Sequence, residues 1–543
     1  QLQGAHLLNR TRAGYLVMKK MMMKRAGLGL LSPVKGVSML CMVAALLVGG
    51  LAGASKPAPT PGHPTLLSPH SDPIAVHAGQ VFVVNTPADT LDVVDASSAQ
   101  VVARIPTGID PVSVKVRPDG NEIWVSNHLS DSVSVIDNDS DSPTYLSIVA
   151  TIQDIDLNRK STRFDEPVGI AFANNAKAYV ALSSTNRIAV IDVASRKVLS
   201  HLEIPAQEPR AIEVRGGRLY VIPFESNNQT QLSGGKPEDL DGKLVTFDAR
   251  KLASSFDSVG FTVDVVKQPK IPDKDLSIFD TQTDKLVSTV DTLGTSLFGL
   301  TVDASGNIYV ANTDARNHIN GKAGTEKHGL KELDNRPYLN RVSKVSAAGE
   351  VDFFQLNPLP PRQPNRKEAV ATPFAVKASR DGDVLFLTSA GSDVLLALSV
   401  KTGEVVAKAK VGSVPRGVAL EEDAGGKPVR AWVMNAVSNS VSKVAIAGNS
   451  ALQVEQTIEL HDPTPPVYKE GRMAFNTARA SSNGTFSCAS CHADGHTDHL
   501  LWVLDTPHLV GADQIEPRLS QTLRGLRGTA PYHWDGVPGG PYG

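Results

Sequence analysis

Cysteine is nearly missing: the 543 residues contain three, Cys41, Cys488 and Cys491. That excludes a scaffold stapled by many disulfides. Aromatic residues make up only 5% of the chain, while Gly, Pro, Val, Ser and Asp are plentiful, a composition that suits turn-rich β-structure better than a helical fold. A dominant charge is lacking too. Lys and Arg total 54 against 56 Asp and Glu, so nothing marks the chain as a nucleic-acid binder. The chain has no phosphate-binding Gly-rich loop, nucleophile elbow, dinucleotide-binding turn or zinc-protease helix. At this length two domains are expected rather than one.

The one long apolar run, Val37–Leu51, is shorter than the roughly 20 residues that a membrane-spanning helix needs. Lys19, Lys20, Lys24, Arg25 and Lys35 precede it and "AGA" (Ala52–Ala54) follows, the form of a cleavable export signal. Residues 1–54 therefore read as upstream residues and signal peptide, and 55–71 as a Pro-rich linker. Export puts the expected location in the periplasm, or otherwise outside the cytoplasm, of a bacterium. Membrane contact is then limited to this segment, if it stays uncleaved, and Cys41 leaves with it. The chain opens on Gln1, ahead of any Met, and stops at "GGPYG", so truncation at least at the C-terminus is expected.

From residue 72 to 462 a unit recurs: a strand of the form "hydrophobic-x-V-x-N", then "S-V-x-V-x-D", then a Pro-containing step into the next strand. Units begin at Val81, Ile123, Ala178, Leu219, Ile308, Val384 and Ala431. Alternating apolar residues with frequent turns mean antiparallel strands, and a period of about 40 residues means a toroidal array of four-stranded blades. Seven starts predict an all-β seven-bladed β-propeller. Its closure is expected to pair "DPIAVHAG" with a last blade one strand short. Two polar insertions, 225–275 and 313–340, are expected at a propeller face as a rim or docking surface, or as solvated decoration. "VSN…DSVSVID" and "IYVANTD" make the repeat resemble the YVTN family of β-propellers.

Residues 463–543 read as a second, small α-helical domain. It carries "FSCASCHADGHTDHL", in which Cys488-x-x-Cys491-His492 is the attachment signature of c-type haem. Two thiols at this spacing reach two vinyl groups, and the next residue, His492, becomes the proximal iron ligand. A zinc site needs a second ligand pair that the chain lacks, and a disulfide oxidoreductase needs a βαβ context. A plain disulfide remains the alternative, and it leaves His492 unexplained. Met473 or His533 is the candidate sixth ligand.

"EGRMAFNTARASSNGTFSCASCH" and "LRGLRGTAPYHWDG" resemble the haem helix and a loop of the bacterial di-haem cytochrome c peroxidase family. The resemblance implies that Arg524 and Arg527 contact haem propionates, and that a second haem lies beyond the visible C-terminus. Here His533 stands one place earlier than the family pattern has its histidine, with Trp534 before Asp535. The function expected is extracytoplasmic electron transfer through one covalent haem c, with the propeller docking a redox partner protein or small-molecule oxidant. A peroxidase-like oxidoreductase is the first alternative. A propeller-based binding protein with ancillary haem is the second.

Overall fold

The computed structural model describes residues 66–225, 229–232, 245–248, 264–267, 274–319, 329–448, 451–503, 517–526 and 529. The export signal, most of the linker and of the first insertion, part of the second, Arg527 and His533 lie outside them, as does most of the Leu523–Gly536 loop.

Seven antiparallel four-stranded units follow one another along the chain, each a simple meander. Units four and five are joined into one sheet by a bridge between Glu225 and Ser296. The first strands of the units are Ile74–His77, Pro111–Val116, Pro167–Asn174, Gln207–Arg215, Ser296–Val302, Pro373–Ala378 and Pro415–Glu422. Each touches the first strand of the next unit, and the seventh touches the first. A closed cycle of inner strands defines a seven-bladed β-propeller around a central channel.

All seven repeat starts fall on strands, but on the second strand of each blade rather than the first. The recurrent Asn has a structural job there. Asn127 Nδ2 donates to the hydroxyls of Ser132 and Ser134, Asn312 Nδ2 to Ser343, and Asn435 Nδ2 to Ser442 at 3.0 Å. The amide nitrogen of a buried Asn on strand two is thus satisfied by hydroxyls of strand three, which is why "N" and "S-V-x-V" travel together.

The expected closure by strand exchange does not occur. Ile74–His77 pairs with Gln80–Asn85 of its own blade, and the seventh blade has its own fourth strand, Ala451–Glu459. Side chains make the seam instead. Asn439 Nδ2 donates to Asn85 Oδ1 at 3.1 Å, Lys443 Nζ donates to Ala96 O at 3.0 Å, and Trp432 and Met434 share a core with Val81 and Val83. "DPIAVH" matches the inner strand of blade 2 because it is itself an inner strand.

Inner strands converge on the axis, so neighbouring backbones come close. A Cβ on Gly299 of blade 5 would lie 2.3 Å from Phe374 O of blade 6, and one on Gly417 would meet Pro73 at 2.6 Å across the seam. Gly299→Ala should therefore lower unfolding free energy by about 1–3 kcal/mol, the usual cost of overpacking. Urea melts of the two proteins check this.

Residues 66–73 form a strap that runs into the channel against its inner strands. Ser71 N–H donates to Val112 O, and the Asp72 carboxylate takes Lys115 of blade 2 at 3.1 Å and Lys377 of blade 6 at 2.9 Å. Burial pushes the Asp72 carboxyl up, and the two ammonium groups outweigh it, leaving it well below the carboxylate range.

Candidate haem-attachment site

After blade 7 the chain turns back over the mouth that holds the strap. Helix α1 (Pro466–Asn476) is followed by the one-turn helix α2 (Cys488–Cys491) and a turn at Ala493–Gly495. A short ribbon pairs Leu501–Val503 with Pro517–Leu519. Where a helical domain was expected, the described residues form a thin layer with two α-helices, and its apolar contacts go largely to the propeller. Phe486, Cys491, Leu500 and Trp502 pack with Ala315, Leu333 and Tyr338 of blade 5 and its insertion.

Several polar links tie this layer down. Asp494, two residues past His492, receives Arg210 of blade 4 at 2.9 Å and Arg416 of blade 7 at 2.6 Å. The three side chains are 3%, 6% and 4% exposed, so this is a buried triad. Burial pushes the Asp494 carboxyl up, but Arg416 and Arg210 outweigh it and hold it below its ordinary value. Tyr338 donates to Asp498, and Trp502 Nε1 donates to the same carboxylate oxygen at 2.9 Å. His499 pairs with Glu225 at 2.6 Å. Asn340 Nδ2 donates to Thr485 O at 2.9 Å, and Asn483 Nδ2 to Asn335 O at 2.8 Å. Tyr338, Asn335 and Asn340 belong to the 313–340 insertion, which here docks the chain's own motif segment.

The motif residues stand together at the end of α2. Cys488 is exposed, Cys491 is half-buried, and both are free thiols. His492 Nδ1 lies 2.8 Å from the carbonyl oxygen of Gln521 and donates to it. This fixes the tautomer: Nδ1 carries the proton and Nε2 keeps its lone pair for a ligand bond. Two unpaired thiols beside an imidazole of that tautomer fit the donor set of covalent haem.

The other candidates are placed as follows. Arg524 donates from Nε and Nη2 to Asp494 O at 3.1 and 2.9 Å, closing over the turn that follows the motif. Met473 is 37% exposed on α1 and does not line the cavity of about 240 Å³ that Arg472 and Phe475 form with Leu66 and Asp494. His496 is pushed down by burial and by Arg524. Asp494, Asp498, Tyr338, Arg210 and Arg416 were not singled out in the sequence. A signal existed for two of them: inner strands four and seven begin Pro209-Arg210 and Pro415-Arg416, where strands two, three and six have an apolar residue after the same proline.

No protein-family model and no curated protein matches this chain. Solved structures do. A Kuenenia stuttgartiensis hydrazine synthase chain is 18% identical and covers 73% of this chain and 99% of its own length, with a TM-score of 0.50. Virginiamycin B lyase from Staphylococcus aureus is 13% identical over 68% of this chain and 94% of its own, with a TM-score of 0.42. The hydrazine synthase chain is a β-propeller. This chain shares the β-propeller fold.

Two outcomes are expected here. Asp494→Asn leaves the buried Arg416 guanidinium facing an amide, while Arg210 keeps Glu208 at 2.6 Å, and should cost about 3 kcal/mol in chemical denaturation, as for a buried ion pair that loses one partner. Hydrogen bonding to Glu225 raises the His499 pKa, so the pair's contribution is complete below the ordinary histidine value of about 6.5 and is lost as pH rises through the higher folded value. Glu225, raised by burial, acts with the same sign. Thermal melts across that window should fall with pH in the native chain and show a flatter slope in His499→Gln.

Proposed function

We propose that the chain is an exported, extracytoplasmic c-type haem protein that transfers electrons, with one haem bound to Cys488 and Cys491 and His492 as the proximal ligand. The observation that carries this reading is the Nδ1 hydrogen bond of His492 to Gln521 O, beside two free thiols. Haem, when bound, would supply a one-electron iron couple. The protein's part is to hold the imidazole in the ligand tautomer, keep both thiols unpaired and seat the motif rigidly on the propeller. Rigid seating suits electron transfer because a fixed ligand set reorganises little between oxidation states. The propeller-fold likeness to a hydrazine synthase chain is compatible with this reading but names no substrate for it.

Production in a bacterial periplasm with haem maturation tests the proposal. The purified chain should show the visible spectrum of haem c and keep its colour through denaturing electrophoresis. Cys488→Ala with Cys491→Ala should lose all covalent haem while retaining the far-ultraviolet spectrum of the β-propeller. A low-spin ferric spectrum indicates two axial protein ligands and an electron carrier. A high-spin one indicates an open position, and peroxide turnover then becomes the assay. A wild-type chain that matures without haem rejects the reading.

A further inference from the structure

Tyr338 is one of the largest fully buried side chains, yet its hydroxyl contacts the haem motif 153 residues away. It begins the third strand of blade 5, Tyr338–Val345, where the polar insertion returns to the sheet. Its oxygen lies 3.3 Å from Cys491 Sγ and hydrogen-bonds to Asp498 Oδ2. A phenol has one proton, and a carboxylate is the stronger acceptor, so the proton goes to Asp498 and the oxygen is left to accept from the thiol. The carboxylate is itself held by Trp502 Nε1 at 2.9 Å and by the Leu500 N–H at 3.0 Å. The Trp502 and Tyr338 rings meet edge to face at 5.3 Å, so the phenol has little freedom to turn. Cys488 has no such partner among the described residues and is exposed.

We infer that Tyr338, a propeller residue, positions the Cys491 thiol for haem attachment, with Asp498 holding the phenol in place. The inference rests on the haem reading of the motif. In attachment a thiol S–H adds across a vinyl double bond: the sulfur–carbon bond forms, the hydrogen goes to the other vinyl carbon, and no external oxidant is consumed. Two additions on one porphyrin succeed only if both sulfurs sit at the right separation. α2 sets their spacing along the chain, and Tyr338 sets the direction of the second. The propeller therefore acts as the template on which the thioethers are made, and Tyr338 is a positioning residue that touches one sulfur.

The test compares the full-length chain with Tyr338→Phe, which keeps the ring and removes the hydroxyl. Mass spectrometry of haem peptides from periplasmic protein reads the split between double and single thioethers. Alkylation by iodoacetamide of protein made without haem maturation reads the Cys491-to-Cys488 rate ratio. The variant should accumulate single thioethers through Cys488, and its alkylation ratio should rise about fivefold, as expected for loss of one hydrogen bond. General loosening of the layer would lower attachment at both cysteines equally and overturns the inference, as does an unchanged split with an unchanged ratio. If the wild-type chain carries no haem, the haem reading fails by itself; the alkylation ratio then judges the thiol's positioning alone, and an unchanged ratio overturns it. Should Tyr338→Phe fail to fold, Asp498→Asn, which keeps the shape and removes the charge holding the phenol, is read the same way.

Discussion

The placement of the motif segment depends on one carboxylate held by two guanidinium groups. Asp494 reaches into the channel mouth, and Arg210 and Arg416 come to it from blades that are not neighbours. Buried arginines are costly to desolvate, so the triad is meaningful only as a unit. The two imidazoles near the triad add no positive charge. Burial, helped by Arg416, lowers His70 to about 3, and burial with Arg210 lowers His128 to about 4, so both imidazoles are neutral at ordinary pH. Burial raises the nearby Asp110 to about 6, whereas Arg416 and Arg210 hold Asp494 below its ordinary value.

The strap repeats this logic from the other end of the chain. Asp72 joins Lys115 and Lys377 across the channel, as Asp494 joins Arg210 and Arg416. The strap and the motif layer also touch each other's anchors: Arg416 Nη1 donates to Ser68 O as well as to Asp494. A substitution at Arg416 therefore disturbs the strap and the motif layer together, whereas one at Arg210 disturbs the motif layer and Glu208 of its own blade.

Much of the fold was readable because it repeats. Seven strand-two segments could be found by alternation, four of them with the recurrent Asn, at 85, 127, 312 and 435. Strand order within a blade was not readable: inner and outer strands differ in which neighbour they meet, not in their period of two, so the unit was placed one strand late and a strand-exchanged seam was expected. In the C-terminal segment, Cys488, Cys491 and His492 are local and declared themselves. Asp494 and Asp498 did not, since their meaning comes from Arg210, Arg416 and Tyr338, all far away in the chain. Pro209-Arg210 and Pro415-Arg416 show that a break in a repeat's own pattern can be the trace of such a partner.

The seam between blades 1 and 7 gives the ring a particular mechanics. A hoop fastened by a borrowed strand opens only by unzipping a ladder of hydrogen bonds. This hoop is fastened by amides, a lysine and a patch of core, the same kind of side-chain packing that joins blade 1 to blade 2. The two carboxylates behave as cross-ties, spanning blade 2 to blade 6 and blade 4 to blade 7, and they carry load that the join does not. Asp494 finds both its partners only where blades 4 and 7 stand in place, so the seat of the motif segment is a property of the closed ring and not of the segment itself.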